Sequence, residues 1–183
     1  MKRFATPQEL LAYTGLLLDQ MAALVAGHDA DLDGDFAEFL GPHMRHIIEH
    51  YETLTGQLSP AGRPGAAVVL DYDARVRDVR VQSDPAFALA RLSQLRVALE
   101  PLAAWPVDAF DQPLELHAQG GGQGEFYMAS RSSWLRELMF LASHCVHHFA
   151  VIKLHALQHG KDLGAHFGKA PATVAHESAP NMQ

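Results

Sequence analysis

Two histidines four residues apart, His144 and His148, lie in the middle of an apolar segment that the sequence predicts to be helical. Residues at this spacing share one face of an α-helix, so we expect the two imidazole rings to stand one above the other. Imidazoles among aliphatic side chains lose hydration. A divalent metal replaces it well, because neutral imidazole binds zinc, nickel, copper and iron. Two ligands rarely hold a metal, so a third is needed.

A second group of histidines supplies candidates for the third ligand. His43, His46 and His50 lie at spacings of three and four residues on another predicted helix. The chain has 12 histidines spread along its length, so a purification tag does not explain them. On a helical wheel, His43 and His50 lie slightly closer to the apolar stripe than His46 does. The spacing alone therefore leaves the ligand from this helix open.

Other polar residues of the last helix are expected to play smaller parts. His147 faces the polar flank of the helix, so we expect solvent around it and no metal. Glu137 and His155 lie on the stripe of the histidine pair, two to three turns away, where they could hydrogen-bond to a ligand or stay in water. Cys145 points about 100° away from His144, and we expect it to be a small buried apolar residue.

The hydrophobic pattern predicts four amphipathic helices, near residues 7–27, 42–56, 84–104 and 131–159. The first helix begins with a capping box, Thr6-Pro7-Gln8-Glu9. Residues 114–117 and 126–128 are predicted to pair as a hairpin around the glycine-rich turn 120–124. The predicted fold is an all-α four-helix bundle with a minor β-hairpin. Residues 1–183 form a single domain, with 161–183 as a C-terminal tail.

Composition narrows the classes of partner. The net charge of −7 argues against nucleic acid and anionic membrane surfaces. The single cysteine excludes an internal disulfide and suits a reducing compartment. No uninterrupted apolar segment approaches the roughly 18 residues expected of a membrane span. We therefore expect a soluble, cytoplasmic protein.

Two segments resemble the paired motifs of the DinB/YfiT-like superfamily: Met44-Arg45-His46-Ile47-Ile48-Glu49-His50 and the stretch from His144 to Ile152. The resemblance implies a bacterial four-helix bundle, often dimeric, with three histidines around a divalent metal. Matched position by position, the metal ligands are His46, His144 and His148, with zinc or nickel as the ion and His50 as the substitute on the second helix. The Arg-Gly-Gln sequence that commonly follows the last ligand is replaced here by Phe149-Ala150-Val151.

Three neutral imidazoles leave a coordination position open, which is typical of catalytic metal sites. The resemblance implies a thiol-dependent transferase or a hydrolase of stress or detoxification metabolism, a homodimer acting on a small molecule such as a thiol. The sequence assigns no catalytic residue. Glu49 is expected to face away from the histidines, and Asp71 and Asp73 lie in a loop. The alternative is therefore a non-catalytic, dimeric, stress-associated metal-binding protein whose site is structural or vestigial.

Overall fold

The computed structural model describes residues 3–59, 61–63 and 67–178. The helices are α1 (Pro7–Ala26), α2 (Ala30–Asp33), α3 (Leu40–Thr55), α4 (Val79–Ser83), α5 (Pro85–Leu99), α6 (Trp134–Gln158) and α7 (Pro171–Ser178). The strands are β1 (Val69–Asp71), β2 (Pro113–Gly120) and β3 (Phe126–Ser133). Two 3₁₀ segments, Glu100–Ala104 and Val107–Asp111, connect α5 to β2.

The long helices begin where side chains satisfy their free backbone N–H groups. The Thr6 hydroxyl accepts from the backbone N–H of Glu9, and the Glu9 carboxylate accepts from that of Thr6. Asp84 caps α5, and Ser133 caps α6. Helix α1 packs against α5 and α6, and α3 packs against the same two helices. The apolar faces of these four helices enclose the main core.

The prediction of an all-α four-helix bundle is wrong, because the chain also builds a three-stranded mixed sheet. Strands β2 and β3 form the expected hairpin, but it is longer than predicted and extends to Ser133. Strand β1 pairs in parallel with β2, with Val69 opposite Glu115 and Asp71 opposite His117. This pairing brings residues 72–78, which follow β1, against α3. The sheet therefore positions a segment that a plain bundle would lack.

The C-terminal segment packs back on the helices. Lys161 forms an ion pair of 2.7 Å with Asp33, and the ring of Phe167 stacks on Phe149. Within the predicted tail 161–183, residues 171–178 form α7, and residues 179–183 lie outside the described part.

Among the described residues, α1 is the one helix long and apolar enough, by length and composition, to cross a membrane. Polar residues interrupt its sequence, so no continuous apolar segment marks it as a membrane span. One such helix is weak support for a membrane protein, since core helices of soluble proteins have the same length and composition. Here α1 contributes Leu17, Leu18 and Met21 to the core.

Replacing Gly41 with alanine is expected to destabilise the protein by about 3 kcal/mol or more, because the new methyl group would clash with the backbone of a neighbouring segment. Gly41 lies at the start of α3, and a Cβ built there would be 1.9 Å from the carbonyl oxygen of Gln82. Gly15 in α1 is the matched control, since a Cβ there meets nothing within 4 Å. Gly15→Ala should stabilise α1 by roughly 0.5–1 kcal/mol. Urea denaturation measures both, and equal effects would contradict the close contact.

Candidate metal centre

Histidines from α3 and α6 converge between the two helices. The Nε2 atoms of His46 and His144 are 2.9 Å apart, and those of His144 and His148 are 3.3 Å apart. The Nδ1 atoms of His43 and His148 are separated by 2.7 Å. Ring nitrogens of His46, His50 and His144 all lie within 4.8 Å of one another. These five residues are called the histidine cluster below.

The spacing of the ring nitrogens suits a small cation. Four nitrogens about 2.0–2.1 Å from a tetrahedral zinc ion would be about 3.3 Å from one another. The two Nε2 separations at His144, 2.9 and 3.3 Å, are close to that value. Both contacts meet at His144 Nε2, so a cation bound to this nitrogen could also accept a lone pair from a neighbouring imidazole. The donor set therefore fits a divalent metal.

Burial keeps the cluster neutral, which is the form that binds metal. Loss of hydration lowers the pKa of His46 and of His148 to about 3, and that of His50 to about 4. The same cause lowers the pKa of His43 and of His144. Neighbouring imidazoles lower the pKa values of His46 and His148 further, because each disfavours a second positive charge.

An arginine lies beside the cluster. Arg75 Nη2 donates to His46 Nδ1 over 3.0 Å, and Arg75 Nη1 donates to the carbonyl oxygen of Tyr72 over 2.8 Å. Its Nε is 3.5 Å from Glu49 Oε2, an ionic contact without hydrogen-bond geometry. The Glu49 side chain is only 3% exposed, and its other oxygen accepts from the backbone N–H of Asp78 over 2.7 Å. Burial raises the pKa of Glu49, although Arg75 and Arg45 oppose that change.

A tyrosine connects the cluster to Glu137. The ring of Tyr72 stacks on His50 with centroids 5.1 Å apart, and its hydroxyl donates to Glu137 Oε2 over 2.9 Å. Glu137 Oε1 accepts from Arg136 and from the Ser132 hydroxyl. Glu137 is fully buried, and it is in contact with the cluster through Tyr72, whose ring lies on that of His50. Burial and the adjacent Glu137 carboxylate raise the pKa of Tyr72.

The remaining predicted residues lie outside the cluster. His147 is exposed, and Cys145 is buried, where loss of hydration raises the pKa of its thiol. The ring of His155 stacks on Phe39 with centroids 3.7 Å apart, and Phe39 in turn contacts the edge of His43. Of the predicted ligands, His46 and His144 share a three-histidine group with His50, and His148 lies next to His144 with its Nε2 3.3 Å from that of His144.

Sequence reasoning missed Arg75 and Tyr72, and it named His43 only as a candidate for the third ligand. The signal that could have found the first two is the run Asp71-Tyr72-Asp73-Ala74-Arg75 directly after an apolar segment. Asp71 Oδ1 accepts from the backbone N–H groups of Asp73 and Ala74, which turns the chain towards α3 at the end of β1. Glu49, expected to face away from the histidines, is buried and reaches His46 through Arg75.

The metal-free protein is expected to lose stability steadily as the pH falls from about 6.5 towards 4. The folded pKa values of His46, His50 and His148 are about 3, 4 and 3, below the unfolded value of 6.5. The unfolded chain therefore binds more protons in this window, and the cluster's contribution is fully present only above it. Urea midpoints of chelator-treated protein at several pH values measure the slope. Replacing His144 and His148 by glutamine should flatten it; an unchanged slope would contradict this origin.

No family model and no solved structure matches the chain. A curated protein named FK506-binding protein 5, from Rhizopus delemar, is 32% identical to it over 108 residues, which are 59% of this chain and 27% of that protein. The chain therefore spans about a quarter of the length of this relative. The relative's name indicates a different family from the DinB/YfiT-like superfamily. Together with the mixed sheet, it corrects the description of this chain as a DinB/YfiT-like four-helix bundle.

Proposed function

We propose that this protein is a metal-dependent enzyme, a transferase or hydrolase, whose divalent ion is held by His144, His148 and a histidine of α3. The observation that carries the proposal is the convergence of neutral imidazoles: ring nitrogens of His46, His50 and His144 lie within 4.8 Å of one another, and the Nε2 of His148 is 3.3 Å from that of His144. The ion is zinc or nickel, because an all-imidazole set suits these metals. On α3, the sequence favours His46 as the ligand and keeps His50 as the substitute.

The chain's own groups give the site its environment. Phe140 stacks on His144 and Tyr72 stacks on His50, so aromatic rings limit the access of water to two imidazoles. Arg75 supplies a buried positive charge next to His46. A bound divalent ion would supply Lewis acidity and would favour the thiolate form of a thiol. These properties suit a small molecule that brings a thiol or another anionic group, while the net charge of −7 disfavours nucleic acid and anionic membrane surfaces.

A second candidate is a non-catalytic, stress-associated metal-binding protein with a structural or vestigial site. It is favoured by the positions of the nearby carboxylates, which are the usual candidates for a general base. Glu137 is bound by Tyr72, Ser132 and Arg136. Glu49 is bound by the backbone of Asp78 and contacts Arg75. Both carboxylates are therefore engaged by other groups. Among the described residues, the imidazoles of the cluster pair with one another, with Arg75 and with a backbone carbonyl, and not with a carboxylate.

Metal analysis of untagged protein, followed by assays with a panel of thiols and electrophilic or hydrolysable substrates, tests the proposal. We expect about one zinc or nickel ion per chain and a reaction that stops after chelation and resumes after metal is restored. A protein that binds no divalent ion would overturn both candidates. Stoichiometric metal without turnover across the panel would favour the non-catalytic protein.

We also propose that the protein is a cytoplasmic homodimer. Apolar side chains remain exposed on the outer faces of two helices, among them Leu16 of α1, which is 60% exposed, and Leu154 of α6. The single cysteine, Cys145, is unpaired and buried, which suits a reducing compartment. Light scattering should give twice the chain mass at micromolar concentrations, and Leu16→Glu should shift the mass towards the monomer. A monomeric parent protein would contradict the proposal.

A further inference from the structure

We propose that the metal ligand from α3 is His50, and that Arg75 fixes His46 as a hydrogen-bond donor that faces the site. This inference rests on the proposed metal site and assigns its parts. It departs from the ligand set that the sequence favours, in which His46 binds the ion.

The contact with Arg75 determines the tautomer of His46. A guanidinium group has only N–H donors, so the 3.0 Å contact from Arg75 Nη2 requires a lone pair on His46 Nδ1. A neutral imidazole with its lone pair on Nδ1 carries its proton on Nε2. Nε2 is the atom that faces His144 at 2.9 Å. In this arrangement His46 offers the site a proton where a metal ligand must offer a lone pair.

A backbone carbonyl determines the tautomer of His50. Its Nδ1 is 2.6 Å from the carbonyl oxygen of His46, and a carbonyl oxygen only accepts. His50 therefore carries its proton on Nδ1 and has a free lone pair on Nε2. A hydrogen bond from the second ring nitrogen to a backbone carbonyl is the usual arrangement of a metal-binding histidine. His50 is also buried, with Tyr72 stacked on its ring, so few orientations are open to it.

The pair on α6 is compatible with the same assignment. When His148 Nδ1 donates to His43 Nδ1 across their 2.7 Å contact, the Nε2 of His148 is left with a lone pair. That Nε2 faces His144 Nε2 at 3.3 Å. His43 then accepts a hydrogen bond from Nδ1 of His148, just as the His46 carbonyl oxygen accepts one from Nδ1 of His50. In the metal-free protein the Nε2 lone pair of His144 accepts the His46 proton over 2.9 Å. A bound ion would take up this lone pair together with those of His50 and His148, and the N–H of His46 would then be free to donate elsewhere.

Two contacts hold Arg75 in place, so that it fixes the tautomer of His46. Its side chain is only 8% exposed, and it is anchored by the carbonyl of Tyr72 and by the carboxylate of Glu49. Binding of an ion by His46 Nε2 would move the His46 proton to Nδ1, where it would meet the arginine donor. Arg75 would then have to leave a buried position beside Glu49. His50 needs no such change, and His46 can donate from Nε2 to an acceptor atom of a substrate beside the ion.

Metal binding by two variants separates the roles. His46→Ala should retain about one ion per chain with affinity within a few-fold of the parent protein, whereas His50→Ala should lose at least about 100-fold in affinity. Competition with a chromophoric zinc chelator measures both values, and circular dichroism establishes that each variant is folded. Loss in His46→Ala, equal loss in both variants, or retention in both would overturn the inference.

Nitrogen-15 NMR of the metal-free protein gives a second readout that does not depend on metal. We expect the proton of His46 on Nε2 and that of His50 on Nδ1. In the Arg75→Met variant, the proton of His46 should no longer be confined to Nε2. A proton on His46 Nδ1 in the parent protein would overturn the inference. Absence of metal binding by the parent protein would instead overturn the proposed function, and the NMR experiment would still decide the tautomers.

Discussion

Replacing His148 with alanine is expected to abolish metal binding, while the same change at His147 leaves it nearly intact. His148 contributes an Nε2 atom 3.3 Å from that of His144, and its loss leaves too few imidazoles to hold an ion. Mutation of an outer partner of a metal ligand costs about 10–100-fold in affinity, so loss of a ligand should cost more. His147 is exposed on the same helix and serves as the matched control.

Plasma emission spectrometry and zinc titration of the two variants measure this difference. Because both changes remove one imidazole from the same helix, an unspecific effect of histidine content would lower metal binding equally. Equal losses would therefore mean that the ligands lie on another face of α6. Retention of metal by both variants would mean that the histidine cluster is not the metal site.

The helical parts of the fold and the centre of the site could be predicted because their signals are local. The four-residue spacing of His144 and His148 places both rings on one face of a helix, and the apolar stripe orients that face inward. The capping box at Thr6 marked the start of α1. The choice between His46 and His50 was not local. It depends on a hydrogen bond to Arg75, 29 residues further along the chain from His46.

The mixed sheet could not be predicted for a related reason. Strand β1 has only three residues, Val69–Asp71, which is too short to show an alternating pattern. Its partner, β2, follows after two helices and pairs with it in parallel. Parallel pairing needs a long crossover and leaves no turn signature in the sequence. The segment with Tyr72 and Arg75 was therefore assigned to a loop of unknown position, and its contacts with α3 were missed.

Replacing Arg75 with alanine is expected to destabilise the metal-free protein by roughly 3 kcal/mol, because it leaves the Glu49 carboxylate buried without its nearest cation. Arg45, the other cation, remains 4.0 Å away. The matched control is Arg77→Ala, at an exposed position two residues along the chain, which should change stability by less than about 0.5 kcal/mol. Urea denaturation at pH 7.5 measures both values.

Two further measurements identify the buried charge as the cause of this loss. Adding Glu49→Gln to Arg75→Ala should restore part of the stability, since the amide oxygen can still accept from the backbone N–H of Asp78. Burial already raises the pKa of Glu49, and removal of Arg75 should raise it further. Protonation of Glu49 then removes the unpaired buried charge from the Arg75→Ala variant. Its loss of stability relative to the parent protein should therefore shrink as the pH falls towards 5. Removal of Arg75 also takes away a charge that lowers the pKa of His46, which acts in the same direction. A deficit that is independent of pH and unchanged by Glu49→Gln would mean that Arg75 stabilises the fold by packing alone.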